Sequence, residues 1–554
     1  MNIRTIYAAA TALAALTATA QDLTTEIDVE RTVTPEHRAA APLPTVHPST
    51  LTAAGRPVLD LAEYTLTSAP APSAGIFGAE GDNGLPQKSP YRGYAAIGYF
   101  PTLNIAGAAG YRFIDNARTN LAASLRYEGA AWHGLHRADG TKGSASDHTF
   151  AINAGGSHSF GKVRLNIDGD YFHSAVTNPL AAGKYSRGID GAAIAAKIGA
   201  SGRLAWNARI HYIYTGVSAA ADGGTAPGEN RYGIAADGRY GIGGNASVFL
   251  EAGIEGIGRS GREWAVDANG NDILADIAHK NMAVASVVPG VAYSGKTVTA
   301  RIGVRVNIGS NTGRKAFHLS PDVRLAWTPA ARFAVYAEAG GGEKAGSLRT
   351  FYNYSPFAVG LNGANTQFTS VSALVGIRAG SVRGLMAGIE ARYEHTDGAA
   401  MLQSTAAGTA FVPVDLSGWR GKVYVRYGAP FAGAYAKGTF ELLPRSYRHA
   451  FASDPDRPEW IAGIRLGAKP LDALTVEARW QWRGGRCTYN ISGTNASRID
   501  LGDVNDLSLE AVYNINERLA CGITLSNLLC VRYQIVEGLR SQGIHGLAGI
   551  QYKF

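Results

Sequence analysis

Imidazoles beside carboxylates are the usual makings of a transition-metal site, and His133, His136 and His148 flank one polar stretch with Asp139 and Asp147 nearby. No spacing fixes their geometry, so solvated loop histidines account for them and no metal is expected. Cys521 and Cys530 lie nine residues apart on one segment; if extended they are about 30 Å apart, beyond the reach of a disulfide. Cys487 and Cys530 open two different polar stretches, where an oxidising compartment could clamp them together. The run 349–357, RTFYNYSPF, carries Tyr352, Tyr354 and Phe357. With Trp419 and Tyr489 on other polar stretches, these rings could form a platform for sugars or ring-bearing ligands; packing among the loops themselves is the other reading. Catalytic signatures are missing. The stretch 309–315, GSNTGRK, lacks the spacing and closing Ser/Thr of a phosphate loop, and no GxSxG sits on a strand-to-helix turn. Neither an enzyme nor a cofactor is expected.

A larger signal is charge recurring at period two. In 300–308, Ile302, Val304 and Val306 oppose Arg301, Arg305 and Asn307; Asp322 and Arg324 follow the same rule. In 385–394, Ala387, Ile389 and Ala391 oppose Glu390, Arg392 and Glu394, and in 474–483, Val476, Trp480 and Trp482 oppose Glu477, Arg479 and Arg483. Segments 120–131, 163–171 and 204–214 alternate likewise. This is the pattern of strands with one oily and one polar face. The charged stripe reads either as a wet wall of cross-strand ion pairs or as a wall that grips an inserted element or steers a solute. On the oily face, Tyr127, Trp132, Tyr212, Tyr214, Trp480 and Trp482 stand toward one end of their strands and Trp327 toward the other, as two interfacial girdles would require.

The connections separate a barrel from a sandwich. Tight turns are expected at 115–118, 161–162, 201–202, 243–245, 294–296, 328–330, 380–382, 429–430, 470–473 and 514–517. Long polar loops alternate with them at 132–146, 178–188, 259–279, 343–367, 396–416, 445–459 and 486–500. Short turns at one end and long loops at the other belong to an all-β transmembrane antiparallel β-barrel, here of about 22 strands. Composition agrees: the 554 residues include 69 Gly and 26 Tyr but only 3 Cys and 4 Met. The net charge of +8 arises from 52 basic and 44 acidic residues interspersed along the chain, too diffuse for nucleic acid.

The termini complete the plan. Arg4, the apolar run 6–16 and Ala18-Thr19-Ala20 before Gln21 read as a signal peptide over 1–20. Residues 21–90 are rich in Pro and Ala and read as an extended periplasmic segment. Within it Glu26, Ile27, Asp28 and Val29 alternate strictly, suiting a strand added to a partner's sheet edge, or a solvated linker. Residues 91–554 form the barrel, in contact with outer-membrane lipids. The final strand presents Tyr552 and Phe554 on its oily face as the membrane-insertion end.

Asn527-Leu528-Leu529, then Arg532-Tyr533, then the terminal Gln551-Tyr552-Lys553-Phe554 resemble the C-terminal end of the TonB-dependent receptor family. The resemblance covers that end by motif and 91–554 by strand count. It implies a transporter of the bacterial outer membrane, closed by an N-terminal plug and opened through a short TonB-contacting strand, to which 26–30 is loosely similar. The chain departs from the family in its 21–90 segment, shorter and richer in Pro than a folded plug, so a barrel lacking a plug domain is expected. The Pro-rich segment, loops folding inward, or a second protein would then close it, the last being a TonB-like, other periplasmic or lipoprotein partner. The expected role is uptake or passage of a solute, gated by an accessory element or partner. The alternative is a non-transporting scaffold for another envelope protein. No pattern names the solute.

Overall fold

The computed structural model describes residues 91–554 apart from 137–141, 179–184, 220–226, 267–271, 278–279, 314, 331, 357, 361–364, 381–383, 406–407, 429–433, 444, 448–457 and 493–494. The expected signal peptide, Pro-rich segment and 26–30 strand lie outside the described residues.

The described chain is a closed antiparallel barrel of 22 strands. Each strand pairs with its sequence neighbour, and the last, His545–Lys553, pairs with the first, Gly93–Phe100, from Tyr94 opposite Lys553 to Tyr99 opposite Ala548. Closure leaves no edge strand, so every ladder amide finds a partner without water. Phe554 finishes the seam. Its N–H donates to the Gly93 carbonyl at 2.9 Å and its own carbonyl accepts from the Gly93 N–H at 2.8 Å. Its ring stacks on Tyr552 and Tyr111, with centroids 6.2 and 6.1 Å apart. Gly93 is required there, because a Cβ would stand 2.5 Å from the Phe554 ring and 2.8 Å from that of Tyr111.

The two faces separate as the alternation predicts. Ile97, Leu125, Ile210, Ile302, Ile389 and Ile550 point outward, Ile389 being 61 % exposed, while Glu128, Asp322, Glu477, Gln551 and Lys553 are buried on the inner face. So continuous an apolar exterior belongs against acyl chains. No described helix is long and apolar enough to cross a membrane. Many glycines sit under the ring of a cross-strand neighbour: Gly110 under Tyr94, Gly376 under Tyr336, Gly388 under Tyr424 and Gly467 under Tyr435. Each ring fills the place of a missing side chain and buries apolar area at a position of weak strand propensity.

The tight turns are built from polar side chains. Asn116 Oδ1 accepts from the N–H groups of Arg118 and Thr119 at 3.0 and 2.7 Å, and Asn516 Oδ1 does the same for Arg518 and Leu519 at 2.8 and 2.9 Å. Three expectations are corrected. The turn placed at 328–330 comes later, between Ala330 and Phe333, because the strand continues past a register irregularity after Trp327. The loops placed at 132–146 and 396–416 are mostly paired strand: Thr119–His136 meets Lys142–Phe160, and Leu385–Thr405 meets Gly408–Gly428 beyond a bulge between Thr396 and Ala399. Trp132 faces inward, where it is buried against the hairpin Gln534–Val536 and Leu539–Arg540 and donates Nε1–H to the Arg540 carbonyl at 2.9 Å. It has the opposite parity to Tyr127. The other girdle rings do face outward, and Trp480 and Trp482 donate to Asn505 and Asp503 at 2.8 and 3.1 Å, one end oily and one wet.

Gly93→Val should block seating of Phe554 and cost about 3 kcal/mol by overpacking. The expected outcome is loss of the fast-migrating folded band on unheated gels, with Gly421→Val, where a Cβ meets no atom within 4 Å, retaining it.

Candidate functional site

The inner face is a lattice of ion pairs. Arg301 donates to Glu251, two strands away, at 2.7 Å and to Asp322 on the next strand at 3.0 Å, with Arg305 joining Asp322 at 3.5 Å. The Arg301 guanidinium also lies 3.7 Å from the Phe249 ring centroid. Arg324 stands opposite Arg301 on one side and Glu338 on the other. Glu390 accepts from the Tyr336 hydroxyl at 2.6 Å, Glu394 accepts from Thr396 Oγ1 at 2.8 Å, and Arg392 sits opposite Arg420. Glu477 joins Arg465 at 3.4 Å and Arg479 at 3.2 Å and accepts from Tyr435. The nine charges picked out by alternation thus fall into two sets. Arg305, Asp322, Arg324, Arg392 and Glu394 share one lumen chamber of about 620 Å³. Arg301, Glu390, Glu477 and Arg479 lie outside it. The chamber carries both signs of charge, a surface that holds water rather than a greasy ligand.

Above the chamber the mouth is narrowed by elements folding inward. The segment 346–356 leaves the strand Phe333–Ala345, makes the helix Leu348–Tyr354 and packs on the inner face of strands well around the wall. Ser347 caps the helix, accepting from the Thr350 N–H at 3.1 Å. Leu348, Phe351, Tyr352 and Tyr354 bury themselves with Phe172, Ile189, Val217, Leu402 and Phe411, each large side chain contributing about 2 kcal/mol. Arginines fasten the segment. Arg187 donates to the carbonyls of Ala358 and Pro356 and covers the Tyr352 ring, its Cζ 4.7 Å from the centroid. Arg349 bonds Asp170 and covers Phe172 at 4.9 Å. Arg259 and Glu229 hold the root of the segment. A second inward element, the 534–540 hairpin, rests on Arg486, which donates to the Gln534 carbonyl at 2.9 Å and lies over the Tyr533 ring.

The ring platform is not assembled as the sequence suggests. Tyr352 and Tyr354 are 2 % and 3 % exposed, so the loops pack among themselves. Trp419 is on the strand Gly408–Gly428, 60 % exposed on the outer stripe with Val423, Val425 and Tyr427, its ring 4.9 Å from Tyr393. Phe357 and the Tyr489 side chain lie outside the described residues. Cys487, Cys521 and Cys530 are all free thiols, so the Cys487–Cys530 clamp is not formed. Among the described residues no three His, Cys, Asp or Glu side chains gather for a metal; His148 bonds the Tyr127 hydroxyl at 3.0 Å, and Asp139 lies outside the described residues. The sequence reading missed Arg187, Glu229 and Arg259. Parity was the available signal, since Arg259 continues the inward stripe of Glu251 and Glu255.

The C-terminal motif acquires a structural reason. Asn527 adopts φ of 51°, donates Nδ2–H to the carbonyls of Val531 and Gln542 at 2.9 and 2.8 Å, and accepts from the Val531 N–H at 3.1 Å. One side chain thereby folds the loop that delivers the final strand.

Asp322→Ala should leave Arg301 and Arg305 without their shared carboxylate and destabilise the barrel by about 3 kcal/mol. Urea unfolding in lipid vesicles should register this, with Arg324→Ala changing stability little.

No protein-family model and no curated protein matches the sequence. Solved structures do match the fold. The pyoverdine outer-membrane receptor FpvA of Pseudomonas aeruginosa PAO1 superposes with a TM-score of 0.62 at 12 % identity, over 84 % of this chain and 79 % of that one. The FrpB iron transporter of Neisseria meningitidis gives 0.63 at 10 % identity, over 84 % and 82 %. The outer-membrane transporter YddB of Escherichia coli gives 0.59 at 9 % identity, over 84 % and 81 %. The chain therefore has the 22-strand barrel fold of the TonB-dependent receptors and transporters of the bacterial outer membrane, the place its lipid-facing exterior requires.

Proposed function

We propose that this barrel serves uptake or passage of a solute across the outer membrane, its lumen gated by an accessory element or partner. The observation that carries this reading is the charged, water-holding chamber of about 620 Å³ inside a barrel of transporter type. A wall made of Arg301, Arg305, Asp322 and their partners presents both signs to whatever passes, and so favours a hydrated cargo over an apolar one. In this reading the alternating 26–30 stretch offers a strand to a TonB-like or other periplasmic partner. The narrowed mouth favours a second reading, a scaffold that holds another envelope protein and passes nothing.

Planar-bilayer recording on the reconstituted chain separates the two. A transporter should give solute-sensitive current in the whole chain, in a chain lacking 21–90, or in one whose inward segment is shortened. Silence in all three, together with a fixed envelope protein copurifying under mild detergent, would select the scaffold.

A further inference from the structure

We propose that the segment 346–356 is a strap that gates the lumen from within the chain and is clasped at its root by Arg259; this deepens the passage reading and rests on it. The root is narrow. Ala345 and Thr366 are the last paired residues of their strands, and the Gly346 N–H donates to the Asn365 carbonyl at 2.6 Å, so the chain leaves and re-enters the wall at one point. Arg259 reaches both sides of that point. Its Nη1 donates to Asn365 Oδ1 at 2.9 Å, its Nη2 to the Gly346 carbonyl, and its Nε to Glu229 Oε2 at 2.8 Å. The same Glu229 oxygen accepts from the Leu348 N–H at 3.0 Å, where the strap's helix begins.

The division of these bonds is what makes a gate. Glu229 and Arg259 stand opposite each other on neighbouring wall strands, their side chains 1 % and 0 % exposed. The ion pair belongs to the wall, and of the clasp's bonds only those to Gly346, Leu348 and Asn365 join wall to strap. Letting the strap go keeps the Glu229–Arg259 pair and gives its remaining donors to lumen water, so no charge is stranded at the root. At the far anchor Arg187 holds the Ala358 and Pro356 carbonyls from the wall, and the ion pair of Arg349 with Asp170 runs from strap to wall, so release opens it and hands both groups to lumen water. The helix and its Ser347 cap give the strap structure of its own. A strap with structure of its own can exist both docked and released, the two states a reversible closure needs.

The test reads strap release and passage separately. With Cys487, Cys521 and Cys530 replaced by Ser, Ala358→Cys reports release, because Ala358 is 0 % exposed and tolerates a residue of nearly its own size. Arg259→Lys keeps the charge beside Glu229 but loses the planar fork across the root. A membrane-impermeant maleimide should label the reporter about 100-fold faster in that variant, from the loss of two charge-assisted hydrogen bonds, with bilayer current rising in parallel. Arg187→Lys should raise labelling from the other anchor. Unheated-gel mobility shows that each barrel is folded. Equal labelling with and without the substitutions in folded barrels, or fast labelling in the parent, overturns the strap. A barrel with 348–356 replaced by a short Gly-Ser linker tells the two failures apart. If it conducts while Arg259→Lys labels fast and stays silent, the clasp is not the gate although passage stands. If it too is silent, the passage reading falls and the gate with it.

Discussion

An unpaired backbone amide in hydrocarbon costs several kcal/mol, and this constraint organises the whole molecule. It forces the wall strands into one closed sheet, and it makes the meeting of Gly93–Phe100 with His545–Lys553 the join on which the rest depends. Everything near that join serves the ladder: the paired bonds between Gly93 and Phe554, the absent Cβ that admits the Phe554 ring, and the Asn527 side chain that folds the preceding loop. The pairing also carries through 399–405, where the expected loop proves to be ladder.

Inside the wall the problem reverses. Water is present, so charge is tolerated, and the inner face is laced by pairs such as Arg301 with Glu251 and Asp322. Arginine dominates where elements fold inward, and its geometry gives the reason. A planar fork bonds two or three carbonyls at once while its face lies on an aromatic ring, as Arg187 does with Tyr352 and Arg486 with Tyr533. Arginine can thereby hold irregular backbone against a wall without a second sheet.

Much of the fold was legible in the sequence because period-two alternation has a single physical meaning at this length. Ile302 against Arg301 and Ile389 against Glu390 are assigned to the correct faces by parity alone. So are Ala548, Ile550 and Tyr552 against Gln551 and Lys553. Residue chemistry misleads where it departs from parity. Trp132 shares its chemistry with Tyr127, but its position number puts it on the other face. Trp419 was assigned to a loop because its neighbourhood is polar, yet it belongs to the outer stripe of a strand.

Local alternation specifies the barrel and its approximate strand number, because each follows from contacts between neighbours along a strand or across one turn. Burial of Tyr352 and Tyr354, which withholds them from a ligand, comes from long-range folding alone. The folded wall alone unites Arg259 with Gly346 and Asn365, and sets five of the nine wall charges on one chamber. Those contacts join residues separated by many strands of circumference, and no local period encodes where a loop lands once the wall has curved round to meet it.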